Sequence, residues 1–156
     1  MSEESGSKPA IRRKSFTYRT AITWVGKRAG ITSSGEKLPF RTASPPEFKG
    51  EEGVWTPEDL FVAAVNSCQM TTFVSFAMKL ELPVASYESE AEGTLEFADG
   101  GYRFTRVVVR PRVVVSDPEA VDAVRKALDD AHDACLVARS IRAEVVLEPV
   151  VEVGER

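Results

Sequence analysis

Cysteine and histidine are the scarce residues of this chain, with two cysteines and one histidine among 156 residues. Cys68, Cys135 and His132 leave a zinc centre without a fourth ligand at any recognisable spacing, so no metal is expected. Two cysteines also exclude a disulfide-rich secreted scaffold. Without a CxxC pair, no thioredoxin-like motif is present. Basic excess is missing too: 20 Lys and Arg against 24 Asp and Glu give a net charge of −4. One basic cluster, Arg12-Arg13-Lys14, lies near the start; Arg103, Arg106, Arg110 and Arg112 lie in a run where valines intervene. The second is the pattern of a solvated strand face, so no nucleic-acid partner is expected.

What is present suits one domain. The chain is 43 % hydrophobic, enough to form a core without covalent staples. Residues 1–14 are polar and charged and read as a flexible tail, with a single domain over 15–156. That start has no apolar central region of the signal-peptide kind, so the expected location is the cytoplasm, with both thiols reduced or redox-active.

Phe16, Tyr18, Ile22 and Trp24 share one parity and predict a half-buried strand over 15–25. Gly26 to Gly30 reads as a turn, and Ile31 to Ser33 as the returning strand. Leu38 to Phe48 carries three prolines and reads as an extended crossing segment. Tyr87 to Phe97 alternates again. Asp99-Gly100-Gly101 forms a hairpin turn, after which Tyr102 to Arg110 pairs back. Val113 to Val115 extends or follows that strand beyond Pro111. Asp117-Pro118 opens a second helix whose apolar stripe is Val121, Val124, Leu128, Ala131 and Cys135. Ala143 to Val153 reads as a closing strand.

The first helix is unusual. Thr56 caps it, Pro57 fits its first position and Asp59 completes a capping box. It is expected over Pro57–Leu80, with Pro83 beyond its end. From Phe61 to Met78 no residue is charged. A membrane span is the rival reading. Against it, Asn66, Ser67, Gln69, Thr71, Thr72 and Ser75 interrupt the stretch. A helix without a charged face needs cover on most of its sides. The expectation is a second copy of the chain, with this helix at or near the dimer interface and no membrane involved.

Cys68 lies midway along this helix, and Cys135 ends the buried stripe of the second. By spacing alone, both read first as small apolar core residues.

The segment Thr56-Pro57-Glu58-Asp59-Leu60-Phe61-Val62-Ala63-Ala64, followed by Ser67-Cys68, resembles the central helix of the OsmC/Ohr family. Ala131-His132-x-x-Cys135 resembles its second cysteine motif, and Arg28-Ala29-Gly30 an early arginine turn. The order of elements is similar from about Phe16 to Val150. Leu136 departs from the pattern, since the family usually has proline directly after its second cysteine.

This resemblance implies an α+β fold with two small antiparallel sheets around a long central helix, in an intertwined homodimer. It implies a thiol-dependent peroxidase for organic hydroperoxides, less active on hydrogen peroxide, needing no cofactor and regenerated by an external dithiol reductant. Cys68 would be the attacking thiol and Cys135 the resolving one. Glu58 would be the helix-start carboxylate, paired with Arg28. Arg41 is the rival arginine, at the place another branch of the family uses. Trp55 and Phe73 read first as core or interface, with lining for an organic tail as their functional alternative. A non-catalytic binding protein and a thiol redox sensor are the alternatives on the same scaffold.

The chemistry needs these residue types. The nucleophile must be a thiolate, and an ordinary cysteine is mostly protonated at neutral pH. Arginine keeps its charge and holds an anion in a fixed fork. A second thiol traps the sulfenic acid before further oxidation. One point follows from helix geometry alone: at ~1.5 Å per residue, Glu58 and Cys68 lie roughly 15 Å apart on one helix and cannot touch. Glu58 is therefore expected to serve the Cys68 site of a partner chain.

Overall fold

A computed structural model describes residues 13–154. The chain divides into two compact units, the second beginning at Trp55. Most of the tail predicted over 1–14 lies outside the described residues.

The N-terminal unit is a three-stranded antiparallel sheet of β1 (Ala21–Gly26), β2 (Ala29–Ser33) and β3 (Phe40–Ala43). Gly26 and Lys27 turn the first hairpin at φ 106° and 47°, the left-handed region that makes glycine useful there. The strand expected over 15–25 is shorter. β2 ends at Ser33 opposite Ala21, so residues before Ala21 have no partner strand in this unit. Phe16 and Tyr18 precede the strand and are exposed. The segment Leu38 to Phe48 is also corrected. Its proline-free stretch, Phe-Arg-Thr-Ala, pairs with β2 as a strand. Pro46–Phe48 then forms a short 3-10 turn.

The second unit holds helix α1 (Pro57–Lys79), the long hairpin β4 (Val84–Ala98) and β5 (Gly101–Val115), helix α2 (Val121–Ala134), and strands β6 (Glu144–Leu147) and β7 (Val150–Val153). The capping box at the start of α1 is complete. Asp59 N–H donates to Thr56 Oγ1 at 3.0 Å, and Thr56 N–H donates to Asp59 Oδ2 at 3.0 Å. Asp117 caps a single 3-10 turn, Pro118–Ala120, which runs on into α2.

β5 is the strand on which this unit is built. It pairs antiparallel with β4 along its length, and parallel with β6 and β7 on its other side. This sheet is therefore mixed, not the antiparallel one expected. The closing strand expected over 143–153 breaks at Pro149, giving two short strands. β5 runs straight through Pro111, which has no N–H for a ladder. Pairing with β6 ends at Val109, and pairing with β7 resumes at Arg112. The proline thus falls in the seam between two neighbours.

The outward face of β5 presents Arg110 and Arg112 to Glu148 and Glu152, at 3.0 and 2.7 Å. The arginines that intervene among the valines are a solvated face, as their spacing predicts. The inward face supports two core clusters. Val107 and Val109 pack with Val65 and Ala143. Val113 and Val115 pack with Phe73, Ala77, Val124, Leu128 and Ala131. Burying such side chains contributes roughly 1.5–3 kcal/mol each relative to exposure.

α1 is long and apolar enough to cross a membrane by length and composition. It buries one stripe, Val65, Gln69, Phe73 and Ala77, at every fourth residue. The opposite side carries exposed Met70, Val74 and Met78. There, Ser67 and Ser75 bond back to the helix carbonyls of Ala63 and Thr71. That side is exposed without being charged.

Candidate active site

Helix α1 carries Cys68 one residue before Gln69, the only wholly polar member of its buried stripe. Gln69 Nε2 donates to the Leu128 carbonyl of α2 at 3.3 Å. This bond and the shared core fix α1 against the helix whose last turn delivers Cys135. Cys135 is fully buried and Cys68 partly so, and both are free thiols. The two thiols are near enough to shift each other's ionisation.

Cys68 has further neighbours. Thr72, four residues on and on the same helical face, places its hydroxyl 3.9 Å from the sulfur. The main-chain N–H groups of Val137 and Leu136 also act on it. Burial pushes the Cys68 thiol up, but Val137 N–H, the Cys135 thiol, the Thr72 hydroxyl and Leu136 N–H together outweigh burial and bring it below the ordinary cysteine range. Cys135 moves the other way. Burial raises it, and nearby Cys68 adds to the rise, against the smaller lowering effect of the Ala138 and Val137 N–H groups. The two thiols are thus shifted in opposite directions, Cys68 below and Cys135 above the ordinary range.

Sequence reasoning named both cysteines but missed their supports. Thr72 was recoverable from its spacing of four on the helix. The N–H groups after Cys135 leave no mark in residue type, and Gln69 stood out only as an odd residue beside a cysteine.

The remaining candidates fall as follows. Glu58 lies in the first turn of α1, with Oε2 buried and unpartnered among the described residues. His132 Nδ1 is likewise buried without a partner. Trp55 is half exposed. Phe73 is fully buried and stacked on Tyr87 at 5.5 Å, within the core cluster that α1 shares with α2. Arg28 and Arg41 belong to the N-terminal unit. Arg41 is held by Glu51 through two N–H donors, at 3.0 and 2.6 Å. Arg28 donates one N–H to the Phe48 carbonyl at 2.9 Å and has no carboxylate partner among the described residues.

Residues 50–150 match the family model of the OsmC-like proteins. The chain belongs to the OsmC-like family. An OsmC-like protein of unknown function from Vibrio cholerae superimposes with a TM-score of 0.80 at 29 % identity, over 87 % of this chain and 100 % of its own. An organic hydroperoxide resistance protein from Elizabethkingia anophelis shares the fold, with a TM-score of 0.70 at 18 % identity over 92 % and 99 % of the two chains. The uncharacterized protein YmaD of Bacillus subtilis is 25 % identical over 130 residues, 80 % of this chain and 86 % of its own. Within this OsmC-like chain, the cysteine that closes α2 and the one midway along α1 are the two free thiols.

Proposed function

We propose that this OsmC-like chain is a cysteine-based peroxidase that reduces organic hydroperoxides in the cytoplasm. The observation that carries the reading is the placement of two free thiols, Cys68 on α1 and Cys135 at the end of α2, on helices joined by the Gln69 bond and a shared core. The similarity to an organic hydroperoxide resistance protein supports the substrate class.

In the first step, the Cys68 thiolate attacks the terminal oxygen of ROOH. The O–O bond breaks, an S–O bond forms, and the leaving alkoxide takes a proton to become the alcohol. Cys68 is oxidised to a sulfenic acid. Cys135 then attacks the Cys68 sulfur, forming a disulfide and releasing water, so both peroxide oxygens are accounted for. An external dithiol reduces the disulfide and restores both thiols.

Arg28 is the preferred cation for this chemistry, because Arg41 is already neutralised by Glu51. The buried, unpartnered Glu58 oxygen suits an arginine. Glu58 and Cys68 are too distant along α1 to serve one site within a chain, so a homodimer is part of the proposal. The exposed, uncharged side of α1 supports it.

The test is a thiol count and intact mass after one equivalent of cumene hydroperoxide. Loss of both thiols and of two hydrogens is expected in the wild type. Cys135→Ser should stop at a sulfenic acid or oxidise further. Survival of both wild-type thiols in excess hydroperoxide would overturn the reading. Repeated turnover with a dithiol separates an enzyme from a one-shot sensor.

A further inference from the structure

Helix α1 carries hydroxyl side chains at Ser67, Thr71, Thr72 and Ser75, on both sides of Cys68 in the chain. Inside a helix such a hydroxyl ordinarily turns back to a carbonyl three or four residues earlier. Three of these do so. Ser67 Oγ donates to the Ala63 carbonyl at 2.7 Å, Thr71 Oγ1 to the Cys68 carbonyl at 3.2 Å and Ser75 Oγ to the Thr71 carbonyl at 2.9 Å. Thr72 is the exception. Among the described residues its hydroxyl has the Cys68 sulfur as its hydrogen-bonding neighbour, at 3.9 Å. Thr72 and Cys68 are half-buried, whereas Ser67, Thr71 and Ser75 are exposed. Water therefore competes least for the hydroxyl that faces the sulfur.

The packing of α1 on α2 fixes the sides from which Cys68 is approached. Val65 of α1 shares a core cluster with Val137 and Ile141, which follow α2. Phe73 and Ala77 share the other cluster with Val124 and Leu128, and Gln69 is bonded to Leu128 itself. Later residues of α1 thus meet earlier residues of α2, and the two helices run antiparallel. The chain passes from the level of Gln69 at Leu128 to that of Val65 at Val137, with Cys135 between. Cys135 comes to Cys68 from the N-terminal side of α1. Thr72 stands one turn away on the C-terminal side.

Thiolate attack on an oxidised sulfur is an in-line displacement, with the entering sulfur and the leaving group on opposite sides of the atom attacked. We propose that Thr72 holds the oxygen of the Cys68 sulfenic acid, donating to it as Cys135 enters from the other side. Cys135 gives up its proton and bonds to the Cys68 sulfur. The S–O bond breaks, and the oxygen takes a proton and departs as water. The Thr72 hydroxyl lends a hydrogen bond and emerges unchanged. This inference rests on the peroxidase reading and deepens its second step.

The experiment oxidises the full chain with one equivalent of cumene hydroperoxide in a fixed concentration of dimedone and reads intact mass over time. Loss of the reduced mass gives the first step, and the ratio of dimedone adduct to disulfide gives the second. The dimedone rate itself is measured for each Thr72 variant in Cys135→Ser. Thr72→Val keeps the shape and loses the hydroxyl, whereas Thr72→Ser keeps the hydroxyl. In Thr72→Val the first step should slow no more than about threefold, while disulfide closure slows about tenfold, the effect of one lost hydrogen bond to a developing charge. Serine should recover most of the closure rate. Closure at the wild-type rate in the valine variant would overturn the proposal, as would equal slowing by valine and serine, or equal slowing of both steps. If valine does not fold by circular dichroism, Thr72→Ala carries the same test. A wild type that is not oxidised overturns this proposal together with the peroxidase reading; normal oxidation with an unmoved ratio overturns this one alone.

Discussion

Gln69 of α1 donates its side-chain N–H to the main-chain carbonyl of Leu128 on α2, and this bond ties the residue after Cys68 to the helix that ends at Cys135. Gln69 is 2 % exposed. A buried amide of this kind fixes the register of two helices, because moving either one leaves the group unpaired.

Gln69→Ala should lose about 2–4 kcal/mol of stability, from the cavity and the lost bond together. Gln69→Met fills the space and should lose less than ~1.5 kcal/mol. Urea unfolding of both variants checks the order. The methionine variant should also resolve its Cys68 sulfenic acid more slowly, because α2 is no longer pinned.

Cys68 is lowered from the ordinary thiol range, with burial opposed by the Val137 N–H, Cys135 and Thr72. Cys135 is raised, chiefly by burial. At pH values between the two midpoints, Cys68 is a thiolate and Cys135 a thiol. Alkylation should therefore label Cys68 first as pH rises, and Cys135 only at higher pH. Thr72→Val removes one weak donor and should slow Cys68 labelling below its midpoint by roughly two- to threefold. Peptide mapping across a pH series reads both outcomes, and earlier labelling of Cys135 contradicts the arrangement.

Gly93 sits on the inward face of β4 beneath α1. A Cβ there would lie 2.5 Å from Val62 Cγ2 and 2.8 Å from Phe104 Cε1. Phe104 is itself stacked on Phe61 of α1 at 4.4 Å, so it has little room to yield. Gly93→Ala should cost about 1–3 kcal/mol through overpacking. Thermal or urea unfolding measures it, and pairing it with Val62→Ala should recover part of the loss.

Thr56→Ala removes the side chain that accepts from Asp59 N–H and should cost about 1 kcal/mol. This cap was legible from Thr56-Pro57-x-Asp59 because all its partners lie within one turn. α1 and the buried stripe of α2 were legible for the same reason: helix faces are set by local spacing. β3 was not, because nothing within Phe40 to Ala43 says that β2 lies beside it. The parallel pairings of β6 and β7 were hidden likewise, since their partner β5 lies far away in sequence. At the candidate site, the reactive residue types were visible and the groups that tune them were not. A thiol is a letter in the sequence, whereas an N–H group belongs to every residue but proline.

Pro111 divides β5 between Val107–Val109 and Val113–Val115, and these halves belong to different core clusters. On α1, Val65 sits in one cluster and Phe73 in the other, with Cys68 between them. The two clusters share one unbroken strand, one unbroken helix and the side chain of Leu147, which packs against both. A large-to-small change in either cluster therefore bears on the helix that carries the candidate nucleophile.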